Sequence, residues 1–537
     1  MTSIPDAPTV VPSGAPPATP IDATQVFYDG SYAQDPVSHD FNANPGCGGE
    51  PELWAGLLTF TPDLEPKPDW AQTWEVAADG TTWTFHLRPD NRGWSNGDQL
   101  TAADFVWSWQ RKLLPATAAS DAAVLFPIQG AAAIHAGTAS RSTLGASALD
   151  DWTLQARLTA PSAAFLDMVS TLATVPAHRP SVERYGASWT EAGRCVSNGP
   201  FQLDGWERGT LLQFSPNPGY WDAGGLTLTQ VQAPITPADR ALIQYRLDRL
   251  DQIGVIGSDL PGLQADPTLG PQLRQTVGNG TWALFPQTTV RPFDDVRVRR
   301  AAAHAVDRHR LVEIVSGRAL PATSLLPPGF PAHVGTPDVA GLQSFDVGAA
   351  LDALKDTPFS GGGNWPPVTL LMRQEDPDSE LLGRDVAAQL EENLGMSVSV
   401  TALDPAAFDA ALRQRRAGLI WLRSWYATPD PADAYGRLFS GVDTAGPTTW
   451  RSADLDALLA GALGEVDLRR RLARYAQGEH LLQQEVAYVP AVYPVSWYLV
   501  KPWVTGTPVD QAGWPLLADR VYTRRRMPLR IVGRPLS

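Results

Sequence analysis

Apolar and polar positions alternate in short runs along much of the chain, and stretches with helical spacing separate these runs. Residues 74–87, WEVAADGTTWTFHL, form two alternating runs around Asp79-Gly80. This spacing predicts a hairpin, because glycine accepts the positive φ of a tight turn. A second turn is predicted at Ser95-Asn96-Gly97-Asp98. Thr101 then heads a helix, with Asp104 three residues on as a variant capping box. Phe105, Trp109 and Leu113 follow at helical spacing. Residues 151–158 alternate again and end at Pro161, and residues 201–214 predict another hairpin with Gly209 in its turn. Residues 240–250 have helical periodicity and lead into a short apolar strand at 252–256.

The second half keeps the same rhythm. Residues 294–315 predict one helix with Val298, Ala302, Ala305 and Val306 on a single face, and 346–354 a short one. Strands at 368–372, 398–403 and 419–422 then alternate with helices at 381–394 and 406–415. That βαβαβ order predicts α/β lobes with helices on the sheet faces. Residues 468–483 predict a further helix that turns Tyr475 and Leu482 inward. There is no repeat of fixed period, and Gly361-Gly362-Gly363 reads as a loop, not a phosphate cradle.

Length changes this picture first. At 537 residues the chain exceeds the roughly 250–300 that one core organises, so at least two lobes are expected. A net charge of -15 argues against nucleic acid as a partner, because phosphate binding needs a concentrated basic surface. The run Arg524-Arg525-Arg526 is too short to alter that and reads as a solvated patch. Many of the 19 tryptophans stand beside polar residues, which suits both cores and ligand clefts. None of the eight histidines has metal-ligand spacing, and no metal or cofactor is assigned. Two cysteines, Cys47 and Cys195, cannot form a zinc framework. A disulfide between them is expected in an oxidising compartment, with two buried thiols as the alternative. Residues 1–21 lack the basic and apolar regions of a secretory signal and read as a flexible Pro/Ala/Thr/Ser tether. No apolar run reaches the roughly 18 residues of a membrane span.

Several blocks in consistent order carry a more specific message. They are AGLLTF at 55–60, WAQTWEVAADGTTWTFHLRPDNRGWSNGDQLTAADFVWSW at 70–109, SNGPFQLDGW at 197–206 and SPNPGYWD at 215–222. PFDDVRVRRAAAHAVDRHRLV at 292–312 and the closing block YAQGEHLLQQEVAYVPAVYP at 475–494 complete the set. Together they resemble the family 5 extracellular solute-binding proteins, the dipeptide and oligopeptide receptors of ABC importers, over about residues 25–520. High Ala, Arg, Pro and Trp usage resembles that of actinomycetes, whose antibiotic gene clusters, including that for clavulanic acid, also hold such proteins. The acidic and basic residues Asp294, Asp295, Arg297 and Arg299 read as a helix start with arginines anchored on carboxylates.

The resemblance implies a bilobal α/β fold of the type II periplasmic-binding-protein kind, with an extra third lobe. Lobe I would take 22–51, 165–284 and 497–537, the extra lobe II 52–164, and lobe III 285–496. Hinge crossings would lie near 284–287 and 490–496. The implied function is an extracytoplasmic receptor, monomeric, membrane-tethered or periplasm-like, that closes on a peptide and hands it to a membrane permease. In such proteins an Asp shortly after a Trp pairs with the peptide ammonium. Here that stretch is Trp425-Tyr426-Ala427-Thr428-Pro429-Asp430-Pro431, with Thr428 at the usual place of the Asp. Asp430 is the nearby substitute, or else only turn chemistry. Trp425 and Tyr426 are candidates for an aromatic wall, and Arg373 and Arg423 for carboxylate partners. Asn44 and Gly46, in a glycine-rich loop, are either backbone contacts to ligand or plain surface.

Two rival readings remain. One is a binding protein for a non-peptide, amino-acid-derived solute, which the missing Asp favours. The other is an enzyme using the same cleft. The chain holds no HExxH, GxSxG or P-loop motif and no serine-lysine pair beside a suitable loop, so no catalytic residue is assigned.

Overall fold

The computed structural model describes residues 25–44, 46–61, 64–89, 92–334, 339, 341–374, 377–426, 428–440, 446–506 and 529–534. Residues 1–21 and Arg524-Arg525-Arg526 lie outside these. The predicted hairpins form where the turn chemistry asks for them. Ala71–Val76 pairs with Thr82–Leu87 around Gly80 at φ 69°, and Phe201–Glu207 with Leu211–Pro216 around Gly209 at φ 72°. The Asp104 carboxylate accepts from the Thr101 backbone N–H at 2.8 Å and from its hydroxyl at 2.9 Å, closing the start of helix Ala102–Leu113. Phe105, Trp109 and Leu113 are fully buried, as the spacing predicts.

A 12-stranded sheet runs through the molecule, and a separate 4-stranded antiparallel sheet carries Ala71–Val76, Thr82–Leu87, Thr153–Arg157 and Ala146–Asp150. In the large sheet, Val368–Arg373 lies parallel to Val398–Leu403 and to Leu419–Trp425. The helices Pro377–Leu394 and Pro405–Arg413 make the crossovers. Strand side chains divide by parity between two cores. Trp282, Leu284, Leu370, Met372, Leu419 and Trp421 pack on one face, and Ala283, Phe285, Leu371 and Ile420 on the other. A strand buried on both faces reads as a continuous apolar run, which is why these segments stand out without alternation. On the first face Trp282 and Trp421 stack with centroids 5.8 Å apart.

One long strand, Val489–Val500, joins the two ends of this sheet. Its first part pairs with Gly280–Pro286 and Ala319–Pro321, and its second part with Leu273–Val277 and Gln252–Gly254. The pairing changes partner across residues 492–495, while the chain itself crosses at residues 278–279. The result is a bilobal α/β molecule whose halves share the strand Val489–Val500 and a second chain crossing at 278–279. The first buried cluster takes Trp83 and Phe85 of the small sheet together with Phe201 and Phe214 of the large one, so these two sheets share a core.

Three expectations need correction. Residues 294–315 form two helices, Val296–His304 and Arg308–Ile314. The break falls at Asp307, whose carboxylate accepts from the N–H groups of His309 at 2.9 Å and Arg310 at 3.3 Å, starting a new helix. Periodicity cannot see this, because the apolar face continues across the break. Arg297 binds the Asp295 carboxylate at 2.7 Å as expected, but Arg299 is held mainly by backbone carbonyls, Phe293 O at 3.0 Å and Glu485 O at 2.7 Å, with the Glu485 carboxylate farther away at 3.7 Å.

Cys47 and Cys195 are separate thiols in this structure, the alternative reading, and not a bonded pair. Burial pushes the Cys47 thiol up to about 11 and the Cys195 thiol up to about 12, so little nucleophilic thiolate exists near neutral pH. Native protein should therefore react slowly with a thiol reagent at pH 8. Denatured, unreduced protein should release both thiols; a titration that reads none would show that they pair.

Candidate ligand-binding cleft

The sequence blocks that carry the family resemblance meet as architecture. Asn198 clamps residue 55, accepting from Ala55 N at 3.1 Å and donating to Ala55 O at 2.8 Å. Trp70 Nε1 donates to Asn198 O at 3.1 Å, and Gly199 N donates to Leu53 O at 2.9 Å. Asp69 receives hydrogen bonds from Tyr220 and Trp221 at 3.1 and 2.8 Å. These residues join distant segments; they do not line an opening.

An opening of about 650 Å³ lies elsewhere, between the small-sheet side of the molecule and the half built from 280–490. Its size falls within the range of ligand pockets. The first wall carries Glu65, Trp74, Glu75, Val76, Trp83, Leu166 and Asp167, and the second Phe330, Asp430, Val466, Leu468, Arg471 and Leu472. Val76, Val466 and Leu468 are 37%, 67% and 39% exposed, so apolar surface stands open toward this space. Isolated exposed apolar residues are ordinary, but several facing one cavity mark a binding surface.

Charged groups converge at its floor. Asp430 opens helix Pro431–Phe439: its Oδ1 accepts from Ala432 N at 2.8 Å and from the Tyr475 hydroxyl at 2.7 Å. Its Oδ2 lies 3.5 Å from Arg471 Nε. Asp167, on the short helix Phe165–Val169 of the opposite wall, places Oδ2 3.8 Å from Arg471 Nη2, and no hydrogen bond reaches that oxygen. Both carboxylates are 4% exposed. Burial, and then the charge of Asp430, push the Asp167 carboxyl well above the usual carboxylate range. Burial raises Asp430 as well, against the opposing pull of Arg471, the Ala432 N–H and the Tyr475 hydroxyl. A single guanidinium thus serves two buried carboxylates, one from each side of the cleft.

The model of the bacterial extracellular solute-binding proteins, family 5, matches residues 65–446. The chain belongs to this family. It is 30% identical over 522 residues to the probable deoxycholate-binding periplasmic protein YgiS of Escherichia coli, covering 95% of this chain and 94% of that one. It is also 30% identical over 509 residues to the periplasmic oligopeptide-binding protein OppA of Salmonella typhimurium, covering 90% and 89%. Among solved structures, the unliganded open form of the murein tripeptide binding protein MppA superposes with a TM-score of 0.82 at 24% identity, covering 97% of this chain and 99% of that one. The fold expected from the family resemblance is therefore the fold of this chain.

Within this member of the family, the residues singled out from the sequence do not gather at one place. Asp430 lines the cleft and caps its own helix, the turn chemistry considered for it. Thr428 is 7% exposed, two residues before it, and lines no part of the opening. Tyr426 turns into the core: it is 2% exposed, its hydroxyl donates to Leu325 O at 2.6 Å, and its ring meets Phe330 edge-on. Trp425 pairs its backbone with Gly280, and its side chain lies outside the described atoms. Arg373 ends one strand and Arg423 lies within its neighbour, both half-buried, with the Arg423 guanidinium 5.7 Å from the Trp282 ring. Neither is among the described residues that line the cleft. Asn44 and Gly46 form an exposed local turn, Gly46 N donating to Asn44 Oδ1 at 3.0 Å.

Asp167 and Arg471 were not among the sequence candidates. Asp167 has no motif around it, and Arg471 sits inside the run Arg469-Arg470-Arg471, which looks like a solvated face. One legible sign existed: Val466 and Leu468 are apolar residues beside that charged run, at a helix start where polar residues are the norm.

Proposed function

We propose that this chain is an extracytoplasmic receptor that captures peptides between its two halves and delivers them to the membrane permease of an ABC importer, without catalysing a reaction. The cleft carries the reading: an opening of about 650 Å³ with exposed apolar walls and buried charge at its floor, formed by segments from both halves of a family 5 protein. The name of the Salmonella typhimurium relative, an oligopeptide-binding protein, points to peptides as the solute. In this reading 22–51, 165–284 and 497–537 take lobe I, 52–164 lobe II and 285–496 lobe III, except that 280–284 pack within the half that lobe III forms. Residues 278–279 and 492–495, where the strand pairing changes partner, act as the hinge. Closure about two such crossings needs only a few backbone torsions to change. Among the described residues no helix is long and apolar enough to cross a membrane.

Thermal unfolding against a library of di- to nonapeptides tests the proposal, with free amino acids and N-acetylated peptides as controls. A ligand that binds only the folded state stabilises it by about 2.7 kcal/mol at 100 times its dissociation constant. Raised unfolding temperatures with peptides, but not with amino acids, are the expected result. Small-angle scattering should then show a smaller radius of gyration with the same peptides. No shift with any peptide would overturn the peptide reading and favour a non-peptide solute.

A further inference from the structure

Away from the cleft, one buried positive charge has no counterion among the described residues. Arg308 is 8% exposed; its Nε donates to Pro490 O at 2.7 Å and its Nη1 to Val306 O at 3.1 Å, while Nη2 donates to nothing. The neighbouring Asp307 carboxylate is engaged by the N–H groups of His309 and Arg310. Burial pushes the guanidinium down to about 10, so it stays charged at neutral pH. An arginine that only ties two segments together leaves its remaining nitrogen in water, whereas this nitrogen is closed to it. A buried charge with an unmet donor is costly, and such a cost persists where a ligand relieves it.

Arg308 stands in the wall of a cavity of about 180 Å³ on the 280–490 half, which shares no residue with the cleft. Thr323, Gln343, Ser344 and Phe345 belong to the same wall, Ser344 and Phe345 being exposed. Gln343 is buried and carries the opposite deficit. Its Nε2 donates to Gln483 O at 3.2 Å and to Tyr488 O at 3.1 Å, which leaves Oε1 without a donor. One wall thus holds an unmet charged donor and an unmet neutral acceptor, and the two do not bond each other.

We propose that this cavity binds a small monoanion that carries a hydroxyl beside its charge, a 2-hydroxycarboxylate in organic form or dihydrogen phosphate in inorganic form. The anionic oxygens accept from Arg308 Nη2 and the Thr323 hydroxyl, and the ligand's own hydroxyl donates to Gln343 Oε1. One negative charge answers one guanidinium, and one donor answers one acceptor. A zwitterionic amino acid fits less well, because its ammonium would bury a second cation against a single neutral oxygen. Both orphan atoms are closed to water, so the occupant meets them as the two side chains adjust toward the cavity, and neither atom gives up a bond in doing so. The site is independent of the peptide reading.

Ligand-observed NMR on the full chain near neutral pH tests it, with lactate, propionate, lactamide and inorganic phosphate as probes. Lactate should bind with a dissociation constant on the order of 1 mM or below. Propionate, which lacks the hydroxyl, and lactamide, which lacks the charge, should each bind about tenfold more weakly. Ser344→Trp, a bulky ring at an exposed position of the wall, should abolish the lactate signal without lowering the melting temperature. Thr323→Val should weaken lactate severalfold while the protein stays folded. Phosphate binding in place of lactate, and lost in the same variant, would sustain the proposal in its inorganic form. Equal binding of lactate, propionate and lactamide would overturn it, as would a lactate signal that Ser344→Trp leaves intact. Binding of neither lactate nor phosphate would also end it, whatever the peptides do in the cleft.

Discussion

Replacing Glu479 by alanine should destabilise the 280–490 half by about 4 kcal/mol or more, the sum of several buried donors left without an acceptor. Glu479 is fully buried on helix Leu468–Gln484. Its carboxylate accepts from the Tyr435 hydroxyl at 3.0 Å, from Leu325 N at 3.2 Å, from Gln483 Nε2 at 3.0 Å and from the Tyr488 hydroxyl. Burial, and then the Glu479 charge, hold both phenols well above their ordinary value, so they remain donors throughout the accessible pH range. Alanine strands these donors in a core that also loses side-chain volume. Glu479→Gln keeps one acceptor oxygen and should cost roughly half as much. Urea unfolding followed by tryptophan fluorescence measures both variants. A loss under about 1 kcal/mol for the alanine variant would mean that water replaces the carboxylate, and the network would not organise this half.

Gly199→Ala should produce the second large loss, about 3 kcal/mol, through a clash that no rotamer change can relieve. A methyl group at this position would run into Glu52 O, and would meet Trp54 N at 2.5 Å and the Leu53 carbonyl carbon at 2.6 Å. All three are backbone atoms, and Gly199 N is itself bonded to Leu53 O. The two segments approach this closely because Asn198 holds residue 55 from both its N–H and its carbonyl. Gly209→Ala, in the hairpin that follows, is the comparison. Nothing lies within 4 Å of its added carbon, and only its φ of 72° resists, at about 1 kcal/mol. Melting temperatures of the two variants should differ in that order. Equal losses would show that the 52–54 backbone yields, and that the close approach is not what keeps glycine at 199.

These two sites differ in how far they can be read from the chain. Gly199 belongs to SNGPFQLDGW, a block prominent enough to carry the family resemblance, although its partner backbone was invisible. Glu479 lies in a helical stretch, where it reads like any polar residue between Tyr475 and Leu482. The ligand candidates split the same way. Asp430 stood out as the carboxylate nearest the place where the family pattern has an Asp, and it does line the cleft. Tyr426 stood out for its aromatic ring, and the ring went into the core, where its hydroxyl found a carbonyl. Composition and neighbours cannot tell these outcomes apart, since an aromatic side chain is equally useful in a core and in a cleft.

Local chemistry decided what is local. The turns at Gly80 and Gly209, the Thr101–Asp104 helix start and the βαβαβ order from 368 to 425 follow from φ preferences, capping and strand burial, each contained within a few neighbouring residues. The break at Asp307 belongs to the same class and was masked only by an uninterrupted apolar face. Only the tertiary structure decided that Val489–Val500 serves both halves, and that Asp167 meets Arg471 and Asp430 across 263 and more positions of chain. Their meeting depends on how two separately packed halves stand about shared strands. No property of either segment alone encodes that distance, so a cleft formed between lobes appears only once both lobes are in place.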